Sequence, residues 1–154
     1  MSRPAAPFEV RLVAWDEARE ALASVRRAVF VVEQNVPEDL EWDEADAVSL
    51  HALATADGVP IGTARLLPDG HIGRIAVLRE WRGQGAGDAL LASMLAAARE
   101  RGFETVLLNA QVQALDFYRR HGFSAEGDVF LDAGIPHLAM RLDLTRSGRS
   151  APRD

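Results

Sequence analysis

Arg82-Gly83-Gln84-Gly85-Ala86-Gly87 places three glycines within six residues, between an apolar run (His71 to Leu78) and a helical one (Asp88 to Arg101). A glycine-rich turn from a strand into a helix aims backbone N–H groups, and the positive end of the helix dipole, at one point. Such a point binds phosphate. Glycine also permits close approach of the backbone and dihedrals that a Cβ forbids. A Walker loop is excluded, because no Gly-Lys-Ser/Thr follows. The dinucleotide pattern G-x-G-x-x-G fails as well: counted from Gly83 its last glycine falls on Asp88, and from Gly85 on Leu90. The pattern that fits is Arg82-x-x-Gly85-x-Gly87.

The elements that must position this turn follow from periodicity. Phe8 to Leu12 alternates apolar and polar, as a half-buried strand does. Asp16 is the expected N-cap of a first helix. Ala18, Leu22, Val25, Val29 and Val32 recur at helical spacing along it, and it ends near Pro37. Ser49 to Ala56, Val59 to Leu67 and His71 to Val77 are strands. Asp57-Gly58 and Pro68-Asp69-Gly70 are turn sequences, so the three form an antiparallel meander. After the glycine turn, Leu90, Leu91, Met94, Leu95 and Ala98 form one helical stripe, and Gly102 stops it. Thr105 to Leu108 is wholly apolar, as buried parallel strands are. Strand four, the helix and strand five therefore read as a right-handed βαβ unit with strands four and five parallel. Ala114 to His121 is a short helix; Phe123 to Leu131 and His137 to Leu144 are the last strands. The fold class is α/β (α+β): a mixed central sheet of about seven strands with flanking helices. The chain reads as a flexible N-terminus over 1–7, a single domain over 8–144 and a flexible tail over 145–154.

From Glu33 to Asp46 there are seven acids and no base, with Trp42 among them. The stretch reads either as a solvated acidic loop or as the mouth of a site for a cationic substrate, with Trp42 as one wall. The 154 residues suffice for one domain with a real core, and 48% are apolar. There is no cysteine, which excludes disulfides, cysteine nucleophiles and thiolate metal sites. The net charge of −6 argues against a general nucleic-acid binder. Met1 to Pro7 has no apolar signal core and no run is long enough to span a membrane, so a cytoplasmic protein is expected.

Several segments together resemble the GNAT superfamily of N-acetyltransferases. They are the Arg82-x-x-Gly85-x-Gly87 turn, the strand Gly73-Arg74-Ile75-Ala76-Val77 before it, the strand ending in Leu108-Asn109-Ala110-Gln111 after it, and Ala114-x-x-Phe117-Tyr118-x-x-x-Gly122-Phe123. Within that superfamily the chain is similar to the ElaA/YjcF-like acyltransferases. That likeness rests on Arg27-x-Val29-Phe30 through Glu33-Gln34, on Asp46 to His51, on Ala110-Gln111 after strand five, and on Asp132-x-Gly134-Ile135-Pro136-His137. The loop Val36-Pro37-Glu38-Asp39-Leu40 departs from the Cys-Pro-Tyr-type sequence of some relatives, on the acceptor side.

The resemblance implies acetyl-CoA as co-substrate, no metal, and an amine acceptor. Gly83, Gln84, Gly85, Ala86 and Gly87 would cradle the pyrophosphate, and Arg82 would add charge to a phosphate or form a surface ion pair. Ile75, Ala76 and Val77 would pair with the pantetheine arm. Asn109 would bond the pantetheine or Tyr118, or cap the strand end, and Phe117 would line the same site. Tyr118 would be the general acid toward the departing sulfur. Phenols have pKa near 10 and thiols near 8.5, so a nearby phenol can give a hydrogen bond or a proton; the alternative is a core aromatic. The base that frees the amine would be water, Glu33, His51 or His137; His71 and His121 flank turns. Glu33, Gln34, His51 and His137 would line one acceptor pocket. The implied reaction is direct attack of a primary amine in a ternary complex, since no cysteine is present. An acyl-CoA-binding sensor without transfer and a protein N-acetyltransferase are the alternatives. A homodimer is the common state of small enzymes.

Overall fold

The computed structural model describes residues 8–144. The flexible N-terminus and tail expected at 1–7 and 145–154 lie outside the described residues. Seven strands are present among them: β1 (Glu9–Ala14), β2 (Leu50–Ala56), β3 (Val59–Leu66), β4 (Ile72–Val77), β5 (Thr105–Gln111), β6 (Ser124–Asp132) and β7 (Ile135–Asp143). They form two sheets, β1-β2-β3-β4 and β5-β7-β6, each antiparallel throughout.

The single mixed sheet expected from the sequence is therefore two sheets. The parallel relation of β4 and β5 is one bridge, His71 to Leu107, with the Leu107 N–H donating to the Gly70 carbonyl at 3.1 Å. Past that bridge the strands separate. Ala76 opposes Thr63 and Gly73 opposes Arg65, so β4 carries one residue more than β3 between these pairs. Arg74 takes up the extra residue at φ 49°. Such a bulge bends its strand and raises the local twist, which turns β4 away from β5. The full-length partner of β5 is β7.

Helix α1 (Trp15–Arg26) begins one residue before the expected cap: the Ala14 N–H donates to Glu17 Oε1 at 2.7 Å. It runs on as a wide-turned π-helical segment, Arg27–Glu33. Ala18, Leu22, Val25 and Val29 are buried as their spacing predicts, whereas Val32 is 70% exposed. The wider turn places fewer degrees between residues, so the stripe rotates out of the core after Val29. The acidic stretch folds into two short helices, α2 (Glu38–Glu41) and α3 (Ala45–Val48). Beyond the glycine turn lie α4 (Ala86–Glu100) and α5 (Leu115–Arg120).

Two faces of the first sheet are covered. Ala52, Ala54 and Ala56 of β2 pack in the cluster that holds α4, while Leu53 packs with Leu22 of α1. This is the alternation of a strand buried on both sides. Gly62 lets α4 come close: a Cβ there would lie 2.8 Å from Leu90 Cδ1. Leu90, Leu91 and Met94 share their cluster with Val106, Leu108, Phe123 and Met140, so α4 seals the two diverging sheets from one side. Burial of each such side chain stabilises the fold by about 2 kcal/mol.

Candidate active site

The glycine turn has the geometry its composition predicts. Gly83 and Gly85 stand at φ 79° and 94°, and a Cβ on either would meet nothing within 4 Å. The space over the turn is open and its backbone conformation favours glycine. Gly85 is the N-cap of α4, and no side chain caps the helix, so its first amides have no side-chain acceptor. Ala86 is buried, and Gly87 faces the ring of Phe117, whose nearest atoms would stand 3.5 Å from a Cβ. Asp88 turns aside to His121 Nε2 at 2.8 Å, tying α4 to α5. These residues fit a pyrophosphate.

Arg82 forms an ion pair. Its Nη1 and Nη2 each donate to a carboxylate oxygen of Glu33 at 2.7 Å, and its Nε donates to the Val77 carbonyl at 2.9 Å. Hydrogen bonding from Arg82 is the largest influence on Glu33 and, with the charges of Arg82 and Arg79, holds its carboxyl below the ordinary value against the opposing effect of burial. A carboxylate so held is a weak base.

Where β4 and β5 part, the outer edge of β4 has no strand partner among the described residues beyond the bridge. A cavity of about 480 Å³ opens there, lined among others by Ile75, Asn109, Tyr118, His137, Gln34 and Arg74. The Ala76 side chain packs into the cluster of Val25 and Val29, leaving only its main chain for a ligand. Tyr118 stands edge-on to Phe117 (5.0 Å between centroids) and Phe123 (6.0 Å). Burial pushes its phenol up to about 12, so it stays protonated. His137 Nδ1 lies 2.7 Å from the Ile135 carbonyl. A carbonyl only accepts, so Nδ1 carries the proton and donates it. In the neutral ring Nε2 then holds a lone pair, and it has no hydrogen-bond partner among the described residues.

The structure brings Tyr118, His137, Gln34, Asn109 and Ile75 to one cavity, with the glycine turn beyond it along β4. It does not bring Glu33 or His51 there. His51 is buried elsewhere, its Nε2–H donating to the Asp46 carbonyl at 2.9 Å and its ring 5.3 Å from that of Trp15. Burial, the largest influence, keeps it neutral by lowering its pKa.

The acidic stretch divides: Glu38, Asp39, Asp43 and Glu44 are exposed, as a solvated segment would be, whereas Glu41 and Asp46 are buried among arginines. Buried Arg26 donates to Glu41 Oε2 and to Asp46 Oδ1, both at 2.7 Å, and Arg65 donates to Asp43 and Asp46 at 2.8 and 2.9 Å. Trp42 is covered by Arg26 and Arg27, at 5.1 and 5.3 Å from its ring centroid. Burial pushes the Asp46 carboxyl up, but hydrogen bonds and charge from Arg26 and Arg65 outweigh it and hold the group below its usual value.

Sequence reasoning assigned no role to Arg65 or Arg74, which reach the cavity from β3 and β4, nor to the contact between Gln34 and Gln111. The Gln111 amide donates to Gln34 Oε1 at 2.8 Å, strapping the end of the wide helix to the end of β5. Arginines inside otherwise apolar strands were the available signal.

The model of the GNAT acetyltransferase domain matches residues 13–144. The chain belongs to this family and is an acyltransferase. It is 42% identical over 123 residues to an uncharacterized N-acetyltransferase of Bacillus subtilis (strain 168), YjcF, covering 77% of this chain and 88% of that one. Among solved structures it resembles an acyl-CoA N-acyltransferase from Pseudomonas aeruginosa, with TM-score 0.79, 34% identity and coverage of 88% of this chain and 99% of that one. It also resembles Escherichia coli ElaA, with TM-score 0.78, 30% identity and coverage of 88% and 99%.

Proposed function

We propose that this protein transfers an acetyl group from acetyl-CoA to a primary amine, with both substrates bound together. One observation carries this reading. The edge of β4, without a strand partner among the described residues beyond its bridge to β5, leads from the open glycine turn into a cavity that holds a protonated phenol and an imidazole whose Nε2 has no hydrogen-bond partner among those residues. Bound acetyl-CoA supplies an activated acyl group. The amides of Gln84, Gly85, Ala86 and Gly87 take the pyrophosphate, and the main chain of Ile75 to Val77 pairs with the amide groups of the pantetheine arm, as an added strand would. Arg82 remains with Glu33 and fixes the turn.

His137 Nε2 takes the proton from the ammonium form of the acceptor, directly or through water, a role worth roughly 10²–10⁴-fold. Tyr118, at about 12, lies well above a thiol near 8.5. It therefore stabilises the departing thiolate by a hydrogen bond and keeps its own proton, while the proton that the acceptor nitrogen sheds as the C–S bond breaks passes to the thiolate, directly or through water. No cysteine is available for an acyl-enzyme, and most of the rate comes from holding amine and thioester together. The Gln34–Gln111 strap at the cavity favours a small acceptor over a protein chain. Among the described residues no helix is long and apolar enough to cross a membrane.

The test is thiol release from acetyl-CoA across a panel of small amines, with mass detection of the N-acetyl product. Product formation that depends on the amine supports the reading. Normal CoA binding with no turnover for any acceptor overturns it in favour of a sensor.

A further inference from the structure

The acceptor side of the cavity carries two arginines whose acids leave them incompletely bonded. Arg65 is 5% exposed, and its Nε is buried without any hydrogen-bond partner among the described residues. Arg74 Nε is likewise buried without a hydrogen bond, although it stands in an ion pair with Glu41 Oε2 at 3.2 Å, the oxygen that also accepts from Arg26 Nε. Arg74 Nη2 donates to the Glu41 carbonyl at 3.1 Å and to Asp43 at 3.4 Å, and Nη1 has no partner among the described residues. Both arginines line the cavity.

A guanidinium presents five donors in a planar fork that matches a carboxylate, and buried donors are nearly always paired. The three acids nearby are shared among three arginines, and the two Nε atoms lie sealed inside that network; Arg74 Nη1, on a side chain 26% exposed, is the donor left for an acceptor in the cavity that Arg74 lines. The backbone agrees: Arg74 sits in the left-handed region, at φ 49°, on the bulge that turns its side chain to this cavity. Strained positions of this kind gather where a ligand is bound. The same cavity presents the exposed side chain of Asp132, a carboxylate for an ammonium group alongside the guanidinium.

We infer that the acceptor is an amine that also carries a carboxylate, such as a free amino acid, and that Arg74 receives this carboxylate with Arg65 fixed behind it. This rests on the amine-transfer reading above.

The experiment compares matched acceptors at saturating acetyl-CoA: proteinogenic L-amino acids and β-alanine against their carboxamides and against ethylamine. The same compounds are also titrated calorimetrically into the protein–CoA complex. The carboxylates should exceed the carboxamides by about tenfold or more in kcat/KM, as loss of a charge-assisted fork implies. Arg74→Gln should bring the carboxylates down toward the carboxamide level through KM, lowering them by about tenfold more than the carboxamides. Arg74→Lys, which keeps the charge and loses the fork, should fall between. Carboxyl-free amines used or bound as well as carboxylates, equal losses for both series in Arg74→Gln, or no binding of any carboxylate would each overturn the inference and leave the arginines as structural groups. Carboxylates that bind through Arg74 without turning over would sustain it while the transfer reading fails.

Discussion

Glu33 and Arg82, 49 residues apart, meet in a forked ion pair with both N–O distances at 2.7 Å. The pair joins the end of the wide helix to the start of the glycine turn, and Arg82 Nε anchors the Val77 carbonyl of β4. Two residues that the sequence offers for separate chemistry, a base and a phosphate ligand, thus occupy one another and hold the turn against the sheet.

Glu33→Gln should therefore keep kcat within about threefold, whereas loss of a general base costs roughly 10²–10⁴-fold. Both side chains are partly exposed, so unfolding free energy should change by no more than about 1 kcal/mol. Steady-state rates decide the matter: a hundredfold fall in kcat would restore Glu33 as the base.

Gly85→Ala places a methyl group at φ 94° in the open space over the turn. The left-handed backbone then costs about 1 kcal/mol, and the methyl occupies the approach to the first amides of α4. The Kd for CoA should rise about tenfold, the order of one lost charge-assisted contact. Calorimetry with CoA tests this, and an unchanged Kd would move the phosphate site elsewhere.

Burial holds His51 below its ordinary value of 6.5. The unfolded chain binds that proton first, so stability should fall as pH drops from about 6.5 toward the lower folded value, at up to about 1.4 kcal/mol per pH unit. Stability due to this group is fully present above 6.5. The depressed carboxyls of Asp43 and Asp46, ordinarily 3.8, lose theirs only at lower pH. Denaturant titrations of the native protein and His51→Gln should show a flatter slope in the variant just below 6.5. Identical slopes would remove His51 from the account.

Local signals carried most of the fold. Asp57-Gly58 and Pro68-Asp69-Gly70 fixed the meander, and the Leu90 to Ala98 stripe fixed α4, because turn dihedrals and helical faces depend on neighbours in sequence. The π-helical widening that exposes Val32 left no such mark. Neither did the pairing of β5 with β7, since an apolar strand can serve parallel or antiparallel partners. The glycine turn was readable because glycine is the residue favoured at positive φ. Glu33 and His51 fit a site by type, yet their partners Arg82 and Asp46 are set by tertiary contact. The acids of 33–46 meet Arg26, Arg65 and Arg74 only once the chain has folded.

In the proposed mechanism Tyr118 meets the leaving sulfur, and kcat for acetyl transfer in Tyr118→Phe is the most direct measurement. Loss of one preorganised donor at a developing charge costs roughly 10²–10³-fold. The account predicts a fall of about a hundredfold with KM for acetyl-CoA unchanged, because the ring and its packing on Phe117 and Phe123 remain. A variant that retains full kcat would contradict it.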